Sequence, residues 1–255
     1  MSQPATARLS IVEAAAQVLE RGFVALPAVL DATERRVATS ALDEVIARGE
    51  ANEIPTFGYA IHPLLTRQRK IGSFYAHPLI TAVCAAVFAD EVRVTHSGAR
   101  VTDRGHILDS SRIGWHNHAY TADLKSMPLD DPRRGQRPRR LLFGWYLDGT
   151  DGGNGALVVL PRRFDDRLAP AGPDCNSAWP GEVDVLLPPG SAVIFTTDLW
   201  HAAKQPIIGA PRRYLMGAHV QARSDTTPHP EDHVHAGPEV DAAIAETPAL
   251  GALLA

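Results

Sequence analysis

The sequence is poor in cysteine: its 255 residues include only Cys84 and Cys175. Neither thiol has a second cysteine or a metal-ligand motif beside it, which excludes a disulfide framework and a zinc ribbon. Unpaired thiols are typical of a reducing compartment. We therefore expect a cytoplasmic protein.

Strong net charge and long apolar runs are also absent. The formal net charge is -4, which gives no general attraction to nucleic acid or to an anionic membrane surface. No stretch approaches the length of a membrane span, and the amino terminus lacks the apolar core of a signal peptide. These absences predict a soluble, unprocessed protein whose partner is a small molecule, and they leave its oligomeric state open.

Several common catalytic signatures are missing as well. There is no Gly-x-Ser-x-Gly elbow, no His-Glu-x-x-His helix and no Cys-x-x-Cys pair. The glycine-rich stretch from Asp148 to Gly155 lacks the Lys-Ser/Thr ending of a phosphate loop, so we interpret it as a turn between strands. The hydrophobic content of 45% is enough for a substantial core, and a single domain is the simplest organisation at this length.

Helical patterns come first along the chain. Ser10 and Glu13 form a capping-box pattern that begins a helix over about Ile11 to Arg21, and a short strand is expected at Phe23 to Pro27. Two further helices are predicted at about 31–47 and 79–89.

Strand-like alternation dominates after residue 90. Short alternating stretches recur between turns, centred near Val94, Ile113, Leu142, Val158, Val185, Val193 and Leu215. Helices followed by many short strands predict a mainly β fold with flanking helices, of the sandwich, barrel or jelly-roll type. We divide the single domain into a mostly helical part at 1–90, a β-barrel core at 91–223 and a tail at 224–255.

A pair of histidines one residue apart, His116 and His118, is the most informative motif. On a strand these two side chains share one face, where a third histidine, His201, can meet them. Three convergent imidazoles form a mononuclear metal site, although each histidine taken alone equally fits a hydrogen-bonded core position. Arg212 and Arg213 follow on a later strand, and an arginine can bind a carboxylate through two parallel hydrogen bonds.

In order and spacing these pieces resemble the phytanoyl-CoA dioxygenase family of iron(II)- and 2-oxoglutarate-dependent oxygenases. The matching segments span most of the chain: Gly22–Pro27, Trp115–His118, Gly155–Pro161, Pro189–Ser191, His201 and Pro211–Arg213. The resemblance implies a double-stranded β-helix, which is a cupin-like jelly roll. It also implies an enzyme that uses iron(II), 2-oxoglutarate and O2 to oxidise, most simply to hydroxylate, a small-molecule metabolite.

The resemblance further implies that His116 and His201 bind the iron. Arg212 would hold the distal carboxylate of 2-oxoglutarate, with Arg213 as the reserve candidate because a strand bulge would exchange their faces. The family usually carries His-x-Asp or His-x-Glu, whereas this chain has His118 at the carboxylate position. A neutral imidazole there makes the site one charge more positive and helps later divalent metals to compete.

Three roles are open for His118. We favour a third metal ligand. Alternatively, His118 donates a hydrogen bond to the substrate, or its presence indicates that the protein has lost catalytic activity. Two alternative functions follow from it: a ligand-binding protein without catalysis, and a three-histidine dioxygenase that does not use 2-oxoglutarate.

The remaining aromatic, histidine and arginine residues belong to no recognised motif, so only their general location is predicted. The candidate substrate-pocket residues are Trp115, Tyr120, Trp145 and Trp200, although such residues more often pack in the core. The loop histidines interpreted as solvent-exposed are His229, His233 and His235. His219 is buried or faces inward and stays unassigned. The arginine-rich segment 125–140 is either a surface loop or a lid over an anionic substrate.

Overall fold

The computed structural model describes residues 9–54, 58–102, 112–118, 137–166, 172, 174–207 and 210–255. The helices are α1 (Ile11–Arg21), α2 (Ala32–Ala47), α3 (Gly72–Tyr75), α4 (Pro78–Phe88), α5 (Pro238–Glu246) and α6 (Pro248–Leu254), and Arg69–Ile71 forms a 3-10 turn. The strands are β1 (Phe23–Leu26), β2 (Asn52–Ile54), β3 (Gly58–Ile61), β4 (Val92–Thr102), β5 (Arg112–His116), β6 (Arg140–Tyr146), β7 (Leu157–Val159), β8 (Val183–Val185), β9 (Ser191–Thr196), β10 (His201–Lys204) and β11 (Arg213–Ala222).

Two antiparallel sheets form the body of the protein. The larger sheet has the strand order β1-β9-β6-β11-β4-β3-β2, and the smaller sheet has the order β5-β10-β7-β8. Buried residues of α1, α2, α4 and α5 pack on the outer face of the larger sheet. Its inner face packs against the smaller sheet through apolar residues of both. The predicted mainly β fold with flanking helices is confirmed.

The first helix shows how local sequence fixes the boundaries of these elements. Ser10 Oγ accepts the Glu13 amide, the Glu13 carboxylate accepts the Ser10 amide, and Gly22 ends α1 with a left-handed φ of 78°. The predicted strand after it, β1, pairs with β9 in the larger sheet. The N-terminal part of the chain therefore contributes strands as well as helices. The predicted tail at 224–255 also contains regular structure, because it includes α5 and α6.

Alternation along the strands of the larger sheet decides which side chains face the smaller sheet. On β11 these are Arg213, Leu215, Gly217 and His219. Their neighbours Met216, Ala218 and Val220 belong to the helix-side core. Gly217 lies in register with Gly98 on β4 and Gly144 on β6, and a Cβ atom at Gly217 would collide with the Phe143 carbonyl oxygen. The three glycines therefore allow backbone and neighbouring side chains to approach closely at this level of the sheet.

No single helix in the described ranges is long and apolar enough to cross a membrane. Within the same ranges, one bent pair of segments, Arg69–Tyr75 and Pro78–Phe88 at 47° to each other, reaches the length and composition of a span. The second of these segments packs in the helix-side core through five buried residues, namely Ile80, Val83, Cys84, Val87 and Phe88.

Candidate metal centre

A cavity of about 420 Å³ lies between the two sheets. Both sheets contribute to its walls, and seven of the ten histidines in the described ranges line it: His62, His96, His116, His118, His201, His219 and His233. Imidazole is a good ligand for zinc, copper, iron and nickel. The cavity is therefore rich in groups that bind transition metals.

The structure brings the three histidines of the sequence motif together in this cavity. His116 ends β5, His201 begins β10, and the two residues are direct partners in the antiparallel pairing. His118 follows two residues later, where its amide donates to the Thr197 carbonyl at 2.7 Å. One nitrogen atom from each ring lies within 4.8 Å of the other two. A single ion can be shared at this separation after small side-chain adjustments.

The hydrogen bonds of these three rings fix their tautomers. His116 Nδ1 lies 2.8 Å from the Gly114 carbonyl oxygen, and His201 Nδ1 lies 3.0 Å from the Leu199 carbonyl oxygen. His118 Nδ1 lies 3.1 Å from Glu231 Oε1. Because carbonyl and carboxylate oxygens only accept, all three Nδ1 atoms donate, which leaves each Nε2 as the atom that can coordinate a metal ion. Metal-binding histidines show this arrangement, in which one ring nitrogen donates and the other coordinates.

The protein surroundings keep two of these rings neutral. Burial lowers the pKa of His201 well below its usual value, and its histidine neighbours lower it further. His116 has exposed surface, yet the cavity walls around its ring lower its pKa by desolvation. Neutral imidazole is the form that binds metal, so the electrostatics of the cavity agree with the tautomers.

Glu231 is a site residue that the sequence analysis missed. Its carboxylate extends between two histidines: Oε1 accepts from His118, and Oε2 lies 3.3 Å from His219 Nδ1. Burial opposes ionisation of Glu231, but the hydrogen bond from His118 and the charges around it leave its pKa below the usual value. An ionised carboxylate therefore lies one hydrogen bond away from the three-histidine group.

Residues 227–237, which we call the strap, hold Glu231 in place. The Glu231 amide donates to His229 Nδ1, so His229 Nε2 carries the proton and donates to the His118 carbonyl oxygen at 3.2 Å. Arg140 forms an ion pair with Asp232 at 2.5 Å. The prediction of solvent-exposed histidines in this segment is wrong, because His229, His233 and His235 are all partly buried against the barrel.

Arg213, not Arg212, lines the cavity. The register of β11 with β4 pairs Arg213 with Thr102, and the guanidinium of Arg213 donates to the Gly155 carbonyl and to Thr102 Oγ1. The Arg213 side chain is buried, and no carboxylate in the described part of the chain forms an ion pair with it. Arg212 faces the opposite side, where it contacts Asp43 at 2.9 Å. The assignment of Arg212 to the cavity is corrected in favour of the reserve candidate.

Three of the four aromatic pocket candidates lie outside the cavity. Trp115 stacks on Trp179 at 4.8 Å between ring centroids, and Trp200 packs in the same small cluster. Trp145 is fully buried on the helix side, where its Nε1 donates to the Phe74 carbonyl. The reason is the alternation of side chains along a strand. The residue after each tryptophan faces the cavity, so the tryptophan itself faces away: His116 follows Trp115, Tyr146 follows Trp145 and His201 follows Trp200. Tyr120 lies outside the described residues.

The arginine-rich segment is described only from residue 137 onward. Arg137 donates to the carbonyl oxygens of Ala86 and Val87, and Arg139 forms an ion pair with Asp225 at 2.8 Å. The glycine-rich stretch from Asp148 to Gly155 connects β6 and β7, as predicted. The choice between a surface loop and a lid falls on residues outside the described ranges.

Comparison with known proteins identifies the fold. No protein-family signature matches the sequence, and no curated protein sequence matches it. The crystal structure of SnoN, a non-heme alpha ketoglutarate dependent epimerase from nogalamycin biosynthesis, matches with a TM-score of 0.64 and 16% identity over 83% of this chain and 80% of SnoN. EctD from S. alaskensis with bound Fe matches with a TM-score of 0.61 and 17% identity, over 85% of this chain and 78% of EctD.

A third structure, HygX from Streptomyces hygroscopicus with nickel and 2-oxoglutarate bound, has a TM-score of 0.66 and 14% identity over 83% of this chain and 87% of HygX. At identities this low, the likeness shows the fold alone. The chain therefore has the jelly-roll fold found in these 2-oxoglutarate-dependent proteins.

Proposed function

We propose that this protein is an iron(II)- and 2-oxoglutarate-dependent oxygenase that hydroxylates a small-molecule metabolite, in the manner of the phytanoyl-CoA dioxygenase family. The observation that carries the proposal is a single cavity that contains three histidines whose Nδ1 atoms face acceptors, so that Nε2 can coordinate a metal, and one buried arginine that forms no ion pair in the described ranges. The structural neighbours crystallised with Fe, or with nickel and 2-oxoglutarate, support the choice of cofactors.

The residues present fit an iron(II) ion. His116, His118 and His201 would hold it through Nε2, because their Nδ1 atoms are occupied by acceptors. Three neutral imidazoles lack the negative charge of a two-histidine, one-carboxylate set. Glu231 supplies one negative charge through its hydrogen bond to His118, so the change of ligand is offset one bond further out.

Arg213 and Thr102 would bind the distal carboxylate of 2-oxoglutarate. Burying a guanidinium that forms no ion pair within the described ranges is costly, and burial lowers the pKa of Arg213, although Tyr146 and the Asp148 carboxylate act in the opposite direction. A carboxylate ligand relieves this cost through bidentate hydrogen bonds. The Thr102 hydroxyl lies 3.4 Å from Arg213 and also lines the cavity, which makes it a second donor for the same group.

Bound iron(II) would supply the coordination positions at which the keto acid and O2 react. The balanced reaction converts R–H, 2-oxoglutarate and O2 into R–OH, succinate and CO2. The chain's own contribution is to orient the keto acid between Arg213 and the histidines and to hold a substrate bond nearby. Apolar wall residues such as Leu142, Leu157 and Phe195 exclude water from the remaining space.

Anaerobic addition of iron(II) and 2-oxoglutarate to the metal-free protein tests the proposal. A weak visible charge-transfer band of the chelated keto acid should appear in the wild type and be absent in His201→Ala. His77→Ala is the matched control, because His77 packs against Trp145 outside the cavity, and it should keep the band. Absence of the band from the wild type, together with absence of succinate formation in air, would overturn the proposal.

Two other functions are distinguished by the same measurements. A three-histidine dioxygenase that does not use 2-oxoglutarate would bind iron(II) and consume O2 with its substrate, but would give neither band nor succinate. A non-catalytic binding protein would consume no O2. The proposed location of the activity is the cytoplasm, which agrees with free Cys84 and Cys175.

A further inference from the structure

A second group of three histidines lies in the same cavity and shares no residue with the first. His62 follows β3, His96 lies on β4, and His233 belongs to the strap. One nitrogen atom from each ring lies within 4.8 Å of the other two, as in the first group. Three chain segments that are distant in sequence therefore bring ligand atoms to one point.

The two groups have similar dimensions. In the second group the ring centroids are 5.0 Å apart for His62 and His96, 4.2 Å for His96 and His233, and 6.0 Å for His62 and His233. In the first group the corresponding distances are 5.3, 4.2 and 5.3 Å. His219 lies between the groups, with its ring centroid 4.5 Å from that of His96 and 4.9 Å from that of His118.

Two nitrogen atoms in the second group are buried without a hydrogen-bond partner in the described part of the chain, namely Nδ1 of His62 and Nδ1 of His96. Buried polar atoms in folded proteins almost always have a partner, and a metal ion would supply one to each of these two nitrogen atoms in the tautomer that leaves Nδ1 unprotonated. His233 Nδ1 accepts the Ser97 amide at 3.3 Å, a long contact that a bond to a cation could replace.

Gly98, on the strand beneath the second group, leaves space for the His62 ring because it has no side chain. The His62 ring lies directly over Gly98, and a Cβ atom at Gly98 would collide with His62 Nδ1 and lie 3.0 Å from His96 Cε1. Arg100 also lines the cavity and interacts with the Glu231 carboxylate, and Arg140, which acts on His96 and His233, is paired with Asp232. Each of these two positive charges therefore has a carboxylate near it.

We propose that His62, His96 and His233 form a second binding site for a divalent cation of the zinc type. An all-imidazole set excludes magnesium and calcium, which require oxygen ligands, and suits zinc, nickel or copper. The cation would tie the strap, through His233, to the barrel residues His62 and His96. It would thereby stabilise the strap position in which Glu231 meets His118, so the second site acts on the first through the strap.

Zinc stoichiometry is the first test. Metal-free protein carrying Cys175→Ser, which removes an exposed thiol, is dialysed against Zn²⁺ and its metal content is measured. We expect two equivalents per chain, one after adding His62→Ala and His96→Ala together, and one after adding His116→Ala and His201→Ala together. His77→Ala, outside both groups, should keep two equivalents. A wild-type protein whose zinc content is not reduced by His62→Ala/His96→Ala would overturn the proposal, whereas a single equivalent lost only in that variant would retain this site and reject metal binding at the first group.

A second variant guards against a folding defect in the double mutant. Gly98→Ala keeps every ligand but displaces the His62 ring, so it should weaken binding of one equivalent at least tenfold while the other is unchanged. Equal affinities in Gly98→Ala and wild type would count against the site.

Hydrogen exchange reads out the role of the strap. The His233 amide donates to the Thr95 carbonyl, and its exchange should slow at least tenfold when the second equivalent binds. Unchanged exchange would reject the strap-fastening role. The result is independent of the proposed oxygenase activity, because two zinc equivalents with no keto-acid band would retain this site and reject that activity.

Discussion

Glu231 Oε1 accepts a hydrogen bond from His118 Nδ1 at 3.1 Å, across 113 positions of sequence. In the proposed iron site an imidazole occupies the position at which the sequence resemblance leads us to expect a carboxylate, and the Glu231 carboxylate lies directly behind that imidazole. The hydrogen bond fixes the His118 tautomer and makes its Nε2 a stronger donor to metal. In the proposed site the negative charge therefore lies on the strap, one hydrogen bond away from the metal ligand His118.

Replacing Glu231 by glutamine should weaken metal binding at the three-histidine group. The amide keeps the shape of the side chain but loses the charge and can present an N–H to His118, which disturbs its tautomer. Loss of such a supporting carboxylate lowers metal affinity about 10- to 100-fold. The measurement is the iron(II) dissociation constant of Glu231→Gln against the wild type, obtained by chelator competition.

Asp232→Asn provides the control for this prediction. Asp232 is the neighbouring acid of the strap and pairs with Arg140 rather than with a cavity histidine. If Asp232→Asn weakens iron binding as much as Glu231→Gln does, then the loss reflects a loosened strap and not the charge behind His118.

The two neighbouring arginines should behave differently on truncation. Arg213→Ala removes the buried guanidinium, and losing one partner of a buried charged pair costs about 2 to 5 kcal/mol. The dissociation constant of 2-oxoglutarate should therefore rise by at least about 30-fold. Arg212→Ala removes a half-exposed partner of Asp43 and should leave keto-acid binding unchanged. Equal effects of the two variants in a titration monitored by the charge-transfer band would contradict the assignment.

The metal-free protein should become less stable as the pH falls below about 6.5. Burial lowers the pKa of His62 to about 4 and that of His96 to about 2, with further lowering by neighbouring positive groups. Burial also lowers the pKa of His235 to about 4. In the unfolded chain these histidines take up protons from about pH 6.5 downward, whereas in the folded chain they do so only near their lowered values. The unfolded state then binds more protons, so the free energy of unfolding decreases.

Proton linkage sets an upper limit on this decrease in the free energy of unfolding. Each such histidine contributes at most about 1.4 kcal/mol per pH unit between its two pKa values, and less here because these side chains are partly exposed. Denaturant unfolding in the presence of chelator at pH 7, 6 and 5 measures it. His96→Gln should flatten the decline. A free energy of unfolding that stays constant from pH 7 to 5 would show that these rings do not stay neutral on folding.

The fold and the pair His116 and His118 are largely predictable from the sequence, because both follow from local periodicity, whereas His201 joins this pair through the pairing of β5 with β10. The capping box at Ser10, the short alternating strands and the two-residue spacing of His116 and His118 are local signals. The choice between Arg212 and Arg213 is harder. It depends on the register of β11 with β4, and both faces of that strand carry polar residues, so alternation alone does not identify the inner face.

The second histidine group and Glu231 have no spacing signal at all. His62, His96 and Glu231 come from three segments that meet only when the strap folds back over β4. The one available signal is the number of histidines, eleven in 255 residues, which favours metal binding but does not identify the ligands. The tryptophan candidates failed for a simpler reason: once His116 faces the cavity, alternation turns Trp115 away from it.

Restoring the usual carboxylate ligand tests whether Glu231 and His118 work as a unit. In His118→Asp the new carboxylate would lie near Glu231, which has lost its hydrogen-bond donor, and two buried anions repel each other. Iron(II) affinity should therefore be lower in His118→Asp than in the double variant His118→Asp/Glu231→Gln, where the repulsion is removed. In the wild type, by contrast, Glu231→Gln should lower iron(II) affinity because it removes the charge behind His118.

The effect of Glu231→Gln on iron(II) affinity should therefore have opposite signs in the wild-type and His118→Asp backgrounds. Chelator competition on the wild type, the two single variants and the double variant measures this coupling directly. If Glu231→Gln weakens iron(II) binding equally in the wild type and in His118→Asp, the side chains at positions 118 and 231 act independently. Glu231 then does not compensate for the absence of a carboxylate ligand.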